Sequence, residues 1–586
     1  MPHEVMRDCG LLHEWQPGMR AIFISQTWLS RAHPDRDRAK LKLLQAFVKH
    51  ALLGRLQVDP DWLTSAINPD ENQGLSMKAS QEMFTGCFVW FDYWSVPQSH
   101  PEDQVKAIRS IHTYVQDTDA FICLVPAVKH DDGSLRDFRG WQRRGWCRLE
   151  AFANYMSPTL KKPMVVESMS SYWVQASNDS IFNPVGLGDF TVDSDKKLLG
   201  PVLEQVLSAR QSRAIEQEDY TYFRFLKSMQ GPLLQGFVES GPPCMNSCDE
   251  WLQSMHFGSA CDPHSGLTPL RFAAYDGRAD IAKELLQRGA CVEAPLAETN
   301  LGLGLCHTKG STILQCLSGM YDAPDMVELL MEHRADPCSR MEMNLQSNAL
   351  HMAAVGGHCG NVAVILRRAP AADVANVQGA RPWATACCFG RSEVLQLFLN
   401  DHPGHIDLDP QAVGNNFGGS GVALAALSGD VATLQVMLDR NYDVEYVGQL
   451  TGFMWYLVMS SRLAACLQQN PSYWTELIAG APDTPLGVAA FCGNLGAVEL
   501  LIRHRADVDR ANGLGRTPLI TAAMRGHAGV VELLLEARAS TEARDALGRS
   551  AERWALLRKH DEVSQLLRAA RPGDRAQLLC WAGPCF

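Results

Sequence analysis

From about residue 265 onward, apolar positions recur in paired runs with helical spacing, each pair split by a turn residue and followed by a polar connection. Units open at Thr268, Thr312, Asn348, Arg381, Ser420, Thr484, Thr517 and Ser550, at offsets of 44, 36, 33, 39, 64, 33 and 33 residues. Five of the eight carry an alanine pair five residues in, and six carry a glycine nine residues in. This predicts a helix, a tight turn and a second helix: alanines let the helices approach, and glycine supplies the left-handed residue that ends the first one. Each unit leaves an apolar face that only a neighbour can cover, so the units stack into an all-α solenoid. The 64-residue offset holds an insertion at 451–481, read as a degenerate repeat in preference to a loop with its own helix.

The first third of the chain has another rhythm. Short continuous apolar runs at 21–25 (AIFIS), 88–91 (FVWF), 120–125 (AFICLV) and 163–166 (PMVV) read as strands, with helical patterns at 39–56, 104–116 and 146–155 between them. Buried strands alternating with helices predict an α/β domain with a parallel sheet covered on both faces. Residues 196–229 read as one or two amphipathic helices, and 235–247 (QGFVESGPPCMNS) has the composition of a linker. The expected organisation is an α/β domain over 1–195, a helical connector and Gly/Pro linker over 196–250, the repeat array over 251–570, and a tail over 571–586.

Composition narrows the function classes. Of 586 residues, 53 are Lys or Arg and 65 are Asp or Glu, a net charge of −12 that disfavours generic nucleic-acid binding. The 18 cysteines are scattered without the paired spacing of a structural zinc site, and no metal site is expected. The first residues carry charges where a signal peptide needs an apolar run, and the most apolar stretch, 452–460, is half the length of a membrane span. The expectation is a reduced, cytoplasmic, multidomain protein with no membrane span. No phosphate-binding GxxxxGK[ST] loop and no GxGxxG after a strand occurs, which argues against an ATPase, a kinase or a Rossmann dehydrogenase.

Two resemblances follow from these residues. The period, together with Thr268-Pro269-Leu270, Thr484-Pro485-Leu486, Thr517-Pro518-Leu519 and Leu350-His351, resembles an ankyrin repeat array over roughly 265–570. That resemblance implies an extended concave surface for a protein partner. In the first domain the order is 88–92 (FVWFD), 95–98 (SVPQ), a helix with Lys106-Ala107-Ile108, the strand at 120–125 and Trp146-Cys147-Arg148-Leu149-Glu150. It is similar to TIR (Toll/interleukin receptor) domains over about 21–167. That resemblance implies self-association and, for members that cleave NAD, catalysis by the glutamate of Trp-Cys-x-x-Glu.

Glu150 holds that position, with Trp146 one turn away. Asp92, Trp94 and Ser95 follow the second strand, where ligands of α/β sheets sit, and are the candidate binding residues together with Trp146. Trp94 and Trp141 lie in expected loops and suit ring stacking. His33, Asp35 and Asp37 read as a polar loop leading into a helix, and Cys147 as a packed residue. Two readings remain open: a scaffold or signalling adaptor that binds protein through the array and assembles through the TIR-like domain, or an NAD hydrolase, NAD being its substrate and not a resident cofactor.

Overall fold

The computed structural model describes residues 3–30, 33–60, 74–97, 100–133, 135–159, 161–169, 171–175, 183–192, 195–237, 247–257, 265–304, 306–342, 344–401, 420–447, 458–462, 473–481 and 483–570. The chain divides into two compact units, Met1–Asn344 and Leu345–Phe586. The expected linker proline pair, the aromatic residues Trp455 and Tyr456, and the tail at 571–586 lie outside the described residues.

In the first unit, β1 (Ala21–Ser25), β2 (Asp59–Pro60), β3 (Phe88–Phe91), β4 (Ala120–Leu124), β7 (Met164–Val166) and β8 (Tyr172–Val174) form a six-stranded sheet in the order β2-β8-β7-β4-β1-β3. Strands β5 (Val128–Lys129) and β6 (Leu135–Arg136) make a separate antiparallel ribbon. β1 pairs in parallel with β3 and β4, and β4 with β7. The sheet is mixed, not wholly parallel as expected: β8 runs antiparallel to β7 because only a tight turn separates them, too short for a crossover. Every residue of β1 and β4 is buried, which explains their unbroken apolar runs.

The helices of this domain are α1 (His3–Asp8), α2 (Ala39–Leu52), α3 (Met77–Phe84), α4 (Asp92–Ser95), α5 (Pro101–Arg109), α6 (Ile111–Gln116), α7 (Phe138–Arg143) and α8 (Gly145–Tyr155). One sheet face packs Ile22, Ile24, Phe91, Ile122 and Leu124 against Leu44 and Phe47 of α2 and Phe84 of α3. On the other, Phe23 stacks on Trp90 at 4.3 Å and on Phe121 at 5.4 Å, and Trp90 meets Tyr114 of α6. Burying one such phenylalanine contributes roughly 1.5–3 kcal/mol. The predicted helix over 104–116 is two helices that break at Ser110.

The described helices of the connector are tied to the start of the array. Helices α9 (Asp195–Glu216) and α10 (Tyr220–Ser228) follow the sheet, and Arg224 and Lys227 of α10 donate to the carbonyls of Met255, His256 and Ser254 just before the first repeat. Tyr155 of α8 donates to the Gly302 carbonyl at 2.7 Å, so the first unit holds the α/β domain together with two helix pairs of the array.

The repeat starts read from the sequence are helix N-caps. Thr268, Thr312, Asn348, Ser420, Thr484, Thr517 and Ser550 each accept a hydrogen bond from the backbone amide three residues on. The alanine pairs at 273, 353, 425, 489 and 522 are fully buried. Gly357, Gly390, Gly429, Gly493 and Gly526 end their helices with φ between 66° and 85°; in the last repeat Lys559 occupies the same left-handed position at φ 61°. Where the first repeat has Arg271 in place of the histidine of Leu350-His351, its guanidinium is fully buried and donates to the carbonyls of Gly266, Ala294 and Ser311 at 2.7–2.9 Å.

The described part of the 451–481 insertion does not enter the row of inner helices, as the repeat expected from its length would. The inner helix Gly421–Ser428 packs directly on the inner helix Pro485–Cys492, and Asn494 donates to the carbonyls of Ala426 and Leu427. No layer separates these neighbours, so the described part of the insertion, with helix Tyr473–Gly480, stands outside the row of inner helices.

Candidate functional site

The polar residues of the α/β domain converge where β1 and β3 end. Past Ser25 the chain leaves the sheet through Gln26, Thr27 and Trp28, and α7 and α8, joined at Arg144, bring Trp141 and Glu150 to it. Trp141 Nε1 donates to Ser25 Oγ at 2.8 Å, and Ser25 Oγ in turn donates to Glu150 Oε2. The close turn between α7 and α8 depends on Gly145, since a Cβ there would lie 2.0 Å from the Phe190 ring.

A second cluster adjoins the first. Asp92 accepts from Gln26 Nε2 at 3.0 Å, from Trp28 Nε1 at 2.6 Å and from the Tyr93 amide at 2.7 Å. Lys40 of α2 is buried and donates from Nζ to the Thr27 carbonyl. Cys147 Sγ lies 3.6 Å from the Gln26 carbonyl.

The electrostatics of the cluster are those of a sheltered interior. Burial pushes the Glu150 pKa up to about 8; the Ser25 hydrogen bond opposes this and the charge of Asp92 adds to it. Glu150 is 8% exposed, so its carboxyl is mostly protonated at neutral pH. Burial lowers Lys40 to about 8 and raises Asp92 against its three hydrogen bonds. The Cys123 and Cys147 thiols are pushed far up by burial, which leaves Cys147 a packed thiol and not a nucleophile.

The residues singled out in the sequence are only partly brought together. Glu150 and Asp92 share the strand ends. Trp146, expected beside Glu150 on one helix face, turns the other way and donates to Asp195 Oδ2 at 3.0 Å. Ser95 Oγ accepts from the Phe91 amide at 3.1 Å and closes α4 instead of facing a cleft. Trp94 stacks on Phe91 at 4.5 Å and lines a separate groove of about 550 Å³, whose other walls are Leu41, Leu44, Gln45, Val48, Lys49, Leu52 and Leu53 of α2 and its end, and Val89 of β3. Asp35 caps α2 by accepting from the Lys40 and Leu41 amides, the work of the polar loop expected there. Ser25 and Lys40 are the members the sequence reading missed. Ser25 ends an apolar strand, and Lys40 sits in an ordinary amphipathic helix, so neither pattern marked them.

Among the described residues no cluster of three or more His, Cys, Asp or Glu side chains is arranged to hold a metal ion, and no helix is long and apolar enough to cross a membrane.

No curated protein matches the chain. Two family models do: one described as ankyrin repeat over residues 265–295, and one described as ankyrin repeats, in three copies, over 463–575. No TIR model is among the matches. Laid on the capped helix pairs described above, these matches identify ankyrin repeats in the C-terminal part of this chain.

Proposed function

We propose that this protein is a cytoplasmic scaffold or signalling adaptor: the repeats bind a protein partner, and the TIR-like domain assembles with others of its kind. Ankyrin repeats themselves support a protein–protein interaction role. One observation carries the reading. Successive inner helices of the second unit present a row of half-exposed side chains at one register, Val355, Cys388 and Leu427, each seven residues after its N-cap position. A row of this kind offers surface without the convergent donors of a catalytic pocket.

The test is capture by the full chain from a lysate of its own cells, compared with a chain in which Val355, Cys388 and Leu427 are all arginine. A protein retained by the wild type and lost by the folded variant supports the reading. Identical retention by both would sink it.

The convergence of Ser25, Asp92, Trp141 and Glu150 at the strand ends favours a second reading, hydrolysis of NAD. Against it stands the neutral, buried state of Glu150, since an oxocarbenium-like transition state needs an anion close by. Nicotinamide release from NAD by the full chain, clustered on a multivalent support, decides it. Release abolished by Glu150→Ala and kept by Glu167→Ala would establish the enzyme.

A further inference from the structure

Helix Tyr473–Gly480, cast out of the repeat row, lies on that row's inner-helix face. Its Glu476 is 2% exposed and is held between two arginines: Arg525 Nη1 approaches Oε2 at 3.4 Å, and Arg558 Nη2 binds Oε1. These arginines end successive inner helices at one register, each eight residues after its N-cap residue, Thr517 or Ser550. Each guanidinium also lies over an aromatic ring, Arg525 over Phe491 at 5.2 Å and Arg558 over Trp554 at 5.8 Å. The rings fix the forks, and the forks meet one carboxylate from two sides, an arrangement that selects a carboxylate by geometry as well as charge.

The two arginines stand one residue past the register of the half-exposed row Val355, Cys388 and Leu427, so this helix docks beside the surface a partner would use. Seven residues after the N-cap position, Val355, Cys388 and Leu427 are half-exposed, Phe491 and Met524 are 3% and 2% exposed, and Leu557 of the last repeat is 46% exposed.

We propose that the Arg525–Arg558 pair is the specificity site of the last three repeats, that it takes a glutamate from a short amphipathic helix of a partner protein, and that helix 473–480 is its resident occupant, which the partner displaces. The inference rests on the reading of the array as a protein-binding surface and names the ligand chemistry of one part of it.

The experiment uses the full chain and a synthetic, fluorescently labelled peptide of residues 470–482. In wild type the resident helix competes, so the peptide binds weakly; in Glu476→Gln the tethered competitor is weakened and binding tightens by at least tenfold. A peptide carrying glutamine at the position of Glu476 loses that gain, as does a Glu476→Gln chain that also carries Arg558→Gln. Hydrogen exchange on the wild type guards against a misfolded variant: saturating peptide should speed exchange of the 476–480 amides and leave those of Pro382–Phe389 unchanged. Equal affinity of wild type and Glu476→Gln, equal affinity of the two peptides, or unchanged exchange at 476–480 overturns the proposal. Such a result leaves the Val355–Cys388–Leu427 row untouched, so the broader binding role stands or falls by its own test.

Discussion

Replacing Glu150 by glutamine should flatten the dependence of stability on pH in the first unit. The folded carboxyl titrates at about 8, whereas in the unfolded chain it does so at about 4.3. Because the folded pKa is the higher one, the fold holds a proton that the unfolded chain has already released. Its contribution is complete below about pH 4 and is lost as pH rises to about 8. At about 1.4 kcal/mol per unit, the three units from pH 5 to pH 8 remove roughly 3–4 kcal/mol. Glutamine keeps the shape and the acceptor for Ser25 and carries no titration. Lys40 and Glu167, which also titrate near neutrality, are present in both proteins and cancel in the difference. Urea unfolding of the full chain at pH 5 and pH 8, followed by tryptophan fluorescence, measures it: the wild type should lose about 3 kcal/mol more than Glu150→Gln across that interval. Parallel losses would refute the argument. They would mean that Glu150 is ionised in the fold, and the anion required for cleaving NAD would then be in place.

Other outcomes follow from single contacts. Lys559 sits at φ 61° where six other repeats have glycine; Lys559→Gly should stabilise the second unit by about 1 kcal/mol in thermal or urea unfolding. Arg271→Met strips donors from three buried carbonyls and should cost about 3 kcal/mol or more, while the exposed Arg288→Met should change stability by well under about 1 kcal/mol. Ala489→Leu or Ala522→Leu forces a branched side chain between packed helices and should cost about 1–3 kcal/mol, read as a shift in the urea midpoint. Gly145→Ala drives a methyl group into the Phe190 ring and should loosen Trp141 as well, visible as a red shift and quenching of tryptophan emission.

What the sequence disclosed, and what it withheld, divides along the range of the interactions involved. N-caps, alanine pairs and left-handed glycines are settled by residues within one turn of each other, so Thr268, Ala489 or Gly526 announces its role in the sequence. The central strands were legible for a similar reason, since burial on both faces leaves only apolar residues in β1 and β4. The direction of β8 was not, because pairing depends on which edge is still open when the turn after β7 closes. Trp146 and Glu150 show the same limit at the site: helical spacing puts them on one side of α8, yet Asp195 draws one and Ser25 the other, and both partners are distant in sequence.

The insertion shows where a length argument fails. At 451–481 the number of residues is close to one repeat, and that alone made a degenerate repeat the natural expectation. A repeat, however, is defined by the face it buries: its inner helix must be small and apolar enough to lie between two neighbours, as Ala425-Ala426 and Ala489-Ala490 do. Helix Tyr473–Gly480 carries Glu476 in the middle of its length, and a carboxylate cannot enter an alanine-lined interface without a partner. Arg525 and Arg558, at the ends of their inner helices, are the cations that can meet it, and they lie on the face of the row and not within it. The one acidic side chain of this helix thus keeps it out of the stack and fixes where it docks, while the inner helices Gly421–Ser428 and Pro485–Cys492 close directly on each other.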